Sequence, residues 1–385
     1  MPATILALSL VLGASAAAAG EPKDEVDPRS PDRPLEIVWR PYACAACVDE
    51  KRLPPESLPA EELKILRQPA SAVAKSIGIE KGFFAIESPN FRIFSALSKA
   101  KVKLSDSTFV EADLARLKEI FPTLAIEAQA VVLNPHQRAH LYHIRAERIH
   151  AHFAALMGTE KKYLGMSAPY ELYLFEDYAT HHKLVDKYIG KSADKMGVTH
   201  HERDKPNFLA VSAYADLAPA GDWAFSNLVI HSIAHNLADG YDNYSKETWA
   251  WFEEGIAHYY ARRETPEFNT FCWTEGRAPT LFEKPNWQTT ILNMVRRGKD
   301  KNLAEWCEKS QPGELSAEEQ GLSWSLVKWL VETEPVRVAR MLDKLEEDYT
   351  KSPTAAECIE HGFGVSPSVL HQRWRDFVLK EYPKK

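Results

Sequence analysis

A mainly helical α+β fold follows from three features of the chain. The few segments with a strand signature fall between residues 83 and 214, one long helical stretch sits among them, and the last third reads as helix after helix. Phe84-Ala85-Ile86-Glu87 and Phe91-Arg92-Ile93-Phe94 are aromatic-rich runs on either side of Ser88-Pro89-Asn90, a turn-forming triplet. Tyr170 to Phe175 alternates and is rich in aromatics, and Phe208 to Tyr214 reads as a further strand.

The helices are announced by their ends. Asn134-Pro135 pairs a cap with proline at the first helical position, where a missing N–H costs nothing, so a long helix is predicted from there to about Met157, ended by Gly158. A second helix beginning near Ser226 carries Leu228, Val229, His231, Ile233, Ala234 and His235, with Gly240 just beyond its end. A third is predicted from about Lys246 to Arg263. Ser316-Ala317-Glu318-Glu319 is a capping box ahead of Leu322 to Val331. Pro335 to Tyr349 is amphipathic, and Ser366-Pro367 opens a final helix carrying Leu370, Trp374, Phe377 and Val378.

A length of 385 residues allows more than one subdomain and a sizeable core. The net charge of −7 provides no basic footprint, which excludes nucleic acid as the expected partner. Ile5 to Leu12 is a short apolar run, and Ala14-Ser15-Ala16-Ala17-Ala18-Ala19 follows it as a small-residue cleavage region. Residues 1–19 therefore read as an export signal, although no Lys or Arg precedes the apolar run. That run is too short to span a bilayer and no other stretch is long enough, so the mature chain is expected to be secreted or periplasmic and without a membrane span.

Residues 20–35 are charged and Pro-rich and read as a linker; linker and N-terminal segment together run to residue 82. That segment holds Cys44-Ala45-Ala46-Cys47, and the other cysteines are Cys272, Cys307 and Cys358. With no second CxxC, a four-cysteine zinc site is unsupported, and Val48 stands where haem attachment needs histidine. A local disulfide is the expectation in an oxidising compartment, and the surroundings lack a thioredoxin-like context for a redox role.

Histidine spacing carries the chemistry. His231-Ser232-Ile233-Ala234-His235 puts two imidazoles at i and i+4 on one helix face, where they can grip one metal ion. Glu254 lies on the next predicted helix, in Trp251-Phe252-Glu253-Glu254-Gly255-Ile256-Ala257, and Gly255 and Ala257 are small enough to let helices pack closely and bring Glu254 against the histidine pair. His136 and His140, with His143 following, repeat the spacing on the long helix, and read as a solvated helix face rather than a metal site. His181-His182 and His200-His201 read as surface or loop pairs. Glu253 points about 100° away from Glu254. His258, four residues past Glu254, is a candidate fourth ligand, a partner of the ligands, or a plain surface histidine. Asp239 and Asp242 follow the motif helix, but nothing in the sequence selects either as a replacement base.

This constellation resembles the gluzincin metallopeptidases, whose motif is HExxH, about eighteen residues, and then Glu. Residues 251–257 are similar to the W-x-x-E-G-x-A segment of the aminopeptidase branch, and the wider layout resembles bacterial secreted peptidase-MA-like domains over roughly residues 83–380. The resemblance implies a thermolysin-like arrangement: a small mixed sheet, central metal-binding helices over residues 83–265, and a C-terminal helical subdomain over 266–385. It places one zinc ion on His231, His235 and Glu254, and implies a peptide or protein as substrate or ligand, with the strand at 208–214 lining the groove and offering its edge.

Two departures set this chain apart. The family's general base falls on Ser232, whose hydroxyl cannot accept a proton near neutral pH and is too short for the same geometry. The family's oxyanion-stabilising tyrosine falls on Gln320 when Ser323-Trp324-Ser325-Leu326 and Leu330 are aligned with its segment, or on Glu318 after a shift of two residues. A zinc-binding pseudo-peptidase is the expectation. An active hydrolase with a relocated base and a metal-free structural or interaction domain are the alternatives.

Overall fold

The computed structural model describes residues 42–50, 71–79, 81–103, 108–127, 130–159, 164, 168–188, 198–199, 208–212, 222–241, 248–269, 282, 286–346 and 352–383. The expected export signal and linker, the CxxC-independent part of the N-terminal segment up to residue 70, Cys272, the His200-His201 pair and Asp242 lie outside them.

The molecule is mainly helical with a small mixed sheet. The six strands are β1 (Ala43–Cys44), β2 (Phe84–Glu87), β3 (Phe91–Ala96), β6 (Tyr170–Phe175), β8 (Phe208–Ser212) and β7 (Val198–Thr199), in that spatial order. A separate antiparallel pair joins β4 (Ala100–Lys103) to β5 (Ala130–Leu133). β3, β6 and β8 run parallel, with Ile93 opposite Leu172 and Leu172 opposite Leu209. The other pairings in the larger sheet are antiparallel.

Parallel strands are stable when helices cover both faces, and here they do. Ile93, Leu172, Leu174, Leu209 and Val211 belong to the main core with the long helix α3 (Pro135–Met157) and with α5 (Asp222–Tyr241). Phe94, Tyr173, Phe175 and Ala210 face the other way, onto α4 (Tyr178–Tyr188) and a short helix at 71–77. One face of α3 and β5 form a smaller core with α1 (Ala45–Asp49), α2 (Thr108–Ile120) and β1. After α5 come α6 (Ala250–Glu264), α7 (Trp287–Arg296), α8 (Ala317–Thr333), α9 (Pro335–Glu346), α10 (Ala355–Phe363) and α11 (Pro367–Glu381). The main core is continuous from Phe91 to Tyr382.

The capping signals act as read. Asn134 accepts from the Gln137 amide at 2.9 Å, Pro135 opens α3, and Gly158 closes it in the left-handed conformation at φ 62°. Ser316 and Glu319 form the box that starts α8, and Ser366-Pro367 starts α11. The turn between β2 and β3 is pinned to α3, because Asn90 Nδ2 donates to Glu147 at 2.8 Å and the Ser88 hydroxyl donates to the same carboxylate.

Several expectations are corrected. Helix α5 begins at Asp222 rather than near Ser226, since Asp222 accepts from Arg138 at 2.6 Å and from Tyr142 at 3.2 Å and so anchors an extra turn. Strand β8 is not an edge at its middle: β7 pairs with Ala210 and Val211. His181 is buried on α4, in ring contact with Phe175, and burial lowers its pKa to about 4. The face of α3 carrying His136, His140 and His143 is buried, not solvated. Cys44 and Cys47 are thiols rather than a disulfide.

Candidate metal centre

Helices α5 and α6 pack side by side in antiparallel sense, and successive turns of α5 meet successively earlier turns of α6. Asn227 donates to the Ala261 carbonyl at 3.2 Å and to the Thr265 hydroxyl at 2.5 Å. One turn on, the His231 ring lies 4.9 Å from that of His258. His231 and His235 then both face Glu254. The C-terminal end of α6 is held from behind by α3: Arg148 binds Glu264 and also donates to Asp113 of α2 at 2.8 Å, while Arg145 donates to Ser226 of α5 at 2.6 Å. These groups are buried or nearly so, and paired buried charges of this kind fix position more than they add stability.

Within this frame the three expected ligands converge. His231 Nε2 and His235 Nε2 are 3.2 Å apart. His235 Nε2 is 3.3 Å from Glu254 Oε1, and His231 Nε2 is 3.6 Å from Glu254 Oε2. Two nitrogen ligands at tetrahedral angles about one zinc ion stand about 3.3 Å apart, so the spacing suits a shared metal. All three residues are buried, and only His235 retains a little exposure. A carboxylate enclosed with two imidazoles needs a positive partner, either a metal ion or a protonated histidine. Burial opposes protonation of His235, but the Glu254 carboxylate outweighs it, with a smaller contribution from Asp239, and its pKa is raised.

The surrounding residues sort clearly. Ser232 is buried on α5 beside the ligands in sequence, and Glu253 is only half-buried while Glu254 is enclosed. His258 is no surface histidine: it is wedged between His231 and the Trp287 ring at 5.1 Å, and burial drives its pKa to about 3, so it stays neutral. It is not among the groups whose ligand atoms converge. Gln320 is buried, and its side-chain amide makes no hydrogen bond among the described residues, whereas Glu318 is exposed.

Gly255 serves a different neighbour from the one expected. A Cβ there would lie 2.8 Å from the Ser323 carbonyl and also strike Val327, both on α8. Residue 255 is turned about 100° from residue 254, so the glycine admits α8 while Glu254 faces α5. Sequence reasoning also missed the arginines of α3 that brace the site and Arg262, which lies 4.0 Å over the Trp287 ring. An arginine inside a predicted helix resembles a surface residue until its partners are known.

A second group of ligand atoms converges elsewhere, on Cys44, Cys47, His136 and His140. Where the sequence places one metal ion, the described residues hold two buried groups that could each hold one. The partners of the second lie far apart in the chain, which hid it.

No protein-family model matches the chain, and no curated protein or solved structure matches it.

Proposed function

We propose that the protein is an exported, gluzincin-like zinc-binding protein, a pseudo-peptidase that retains the ligands of a metallopeptidase and lacks its general base. The observation that carries this reading is the convergence of His231, His235 and Glu254 at mutual distances of 3.2–3.6 Å inside a buried helix pair, with Ser232 directly after the first histidine. The small mixed sheet beside α3 and α5, followed by α6 to α11, is compatible with the thermolysin-like arrangement that the motif suggests.

In this reading His231, His235 and Glu254 hold the zinc and His258 packs against His231, while Gln320 takes, by the family resemblance alone, the position of the oxyanion-stabilising tyrosine, where an amide N–H could still donate. Zinc held there supplies Lewis acidity. Ser232 cannot take a proton as a glutamate would, and losing a positioned base costs about 10²–10⁴ in rate. What remains suits binding a peptide or protein better than cleaving it.

The test is elemental mass spectrometry of the mature protein beside His235→Ala, with peptide turnover measured in parallel. One equivalent of zinc should disappear in the variant, and wild-type turnover should stay near background. Ser232→Glu should raise turnover. Equal zinc in both proteins would refute the metal assignment, and robust wild-type cleavage abolished by His235→Ala would refute the impaired one.

A further inference from the structure

We propose that Cys44, Cys47, His136 and His140 hold a second metal ion, a structural zinc that clips the N-terminal segment to the long helix α3. Cys44 ends β1 and Cys47 lies on α1, while His136 and His140 occupy consecutive turns at the start of α3. Cys44 Sγ is 3.3 Å from His136 Nε2, and Cys47 Sγ is 3.5 Å from His136 Nε2 and 3.2 Å from His140 Nε2. Sulfur and nitrogen ligands of one tetrahedral zinc stand about 3.5 Å apart, so the four atoms already have the spread of a coordination sphere. All four residues are buried.

Three further features fit a built site. His136 Nδ1 lies 3.2 Å from the Glu50 carboxylate, which turns its Nε2 toward the sulfurs, as carboxylates commonly do for metal-binding histidines. Aromatic rings close the site off: Phe84 stacks on His136 at 5.1 Å, and Phe121 meets both histidines edge-on at 5.2 and 5.3 Å. An apolar wall of this kind excludes solvent and strengthens ligation. Two cysteines and two histidines also leave no position open, which marks a structural rather than a catalytic zinc.

The clip has a mechanical place in the molecule. β1 adds to the sheet through only two residues, Ala43 and Cys44, too few for a strand to hold by itself. The same helix that supplies His136 and His140 also carries Arg138, Arg145 and Arg148, which bind α5 and α6. Fixing α3 to the N-terminal segment thus stiffens the frame of the His231–Glu254 centre, while the two metals remain chemically separate.

Cobalt(II) reads the two centres apart, because only thiolate ligands give an intense sulfur-to-cobalt charge-transfer absorption. The reduced mature protein loaded with cobalt should show that absorption and bind two equivalents. His235→Ala should keep the absorption and bind one equivalent. The double variant Cys44→Ser/Cys47→Ser, which removes both thiolates, should lose the absorption and also bind one. Absence of the absorption from folded wild type, or its survival in the double variant, would overturn the proposal. Should the double variant fail to fold, wild type still decides: zinc should block alkylation of Cys44 and Cys47, and a chelator should expose them. Equal labelling with and without zinc would overturn it. If only the His231–Glu254 centre fails, the charge-transfer absorption persists and the His235-dependent equivalent is missing.

Discussion

His235 sets the proton chemistry of the His231–Glu254 centre. Metal ligation requires a neutral imidazole, yet Glu254 draws a proton onto this one against the effect of burial. A metal ion held there and a proton would therefore compete for the same carboxylate-flanked site. Zinc affinity at this centre should fall as pH drops through the raised His235 value, which begins above the ordinary histidine pKa of about 6.5. Competition titrations with a chromophoric chelator between about pH 8 and 5.5 would show this, and a flat profile would refute it. In the metal-free protein the sign reverses. The protonated pair contributes stability that is fully present below about pH 6.5 and is lost as pH rises through the raised folded value.

Elements were legible where their ends carried chemistry. Asn134-Pro135, Ser316 with Glu319, and Ser366-Pro367 mark three helices, and each begins where its cap places it. The His231–Glu254 centre was legible for a related reason, since its ligands lie within one helical hairpin at a fixed spacing. Strands β4 and β5, of four residues each, exist because they pair with one another, and no local preference announces them. The start of α5 depends on Arg138, far away in the chain. Packing of α6 against α8 depends on Gly255. Gly255→Ala should gain helix propensity but force the Ser323 carbonyl and Val327 aside. A net destabilisation of about 1–3 kcal/mol is expected from urea denaturation, and an unchanged midpoint would show that α8 can move away freely.

Across the whole molecule, burial of histidine governs acid stability. His143, His152 and His258 are enclosed, and burial pushes each to a pKa of about 3. The unfolded chain takes up protons at these positions below about pH 6.5 while the folded chain does not, so stability should fall as pH drops from there toward 3. In the metal-loaded protein His136 and His235 must stay neutral as ligands, and they pull in the same direction. After chelation they pull the other way. Burial still opposes charge on both, but Cys44 and Glu50 raise the His136 pKa, and Glu254 raises that of His235. Urea midpoints from pH 7 to 5 should thus fall more steeply with metal than with chelator, and equal slopes would refute the linkage.

The two proposed metal centres also differ in how much chain each must close. Cys44 and His136 are 92 residues apart, whereas His231, His235 and Glu254 sit on neighbouring helices joined by a short connection. Closing the longer loop costs about 1 kcal/mol more in chain entropy, and it also requires α3 to have formed and found the N-terminal segment. A refolding chain supplied with cobalt should therefore fill the imidazole–carboxylate centre first and acquire its thiolate colour last. In time-resolved spectra that final colour change would report arrival of the native topology, and its appearance ahead of the other signal would mean that the molecule assembles from its N-terminal end.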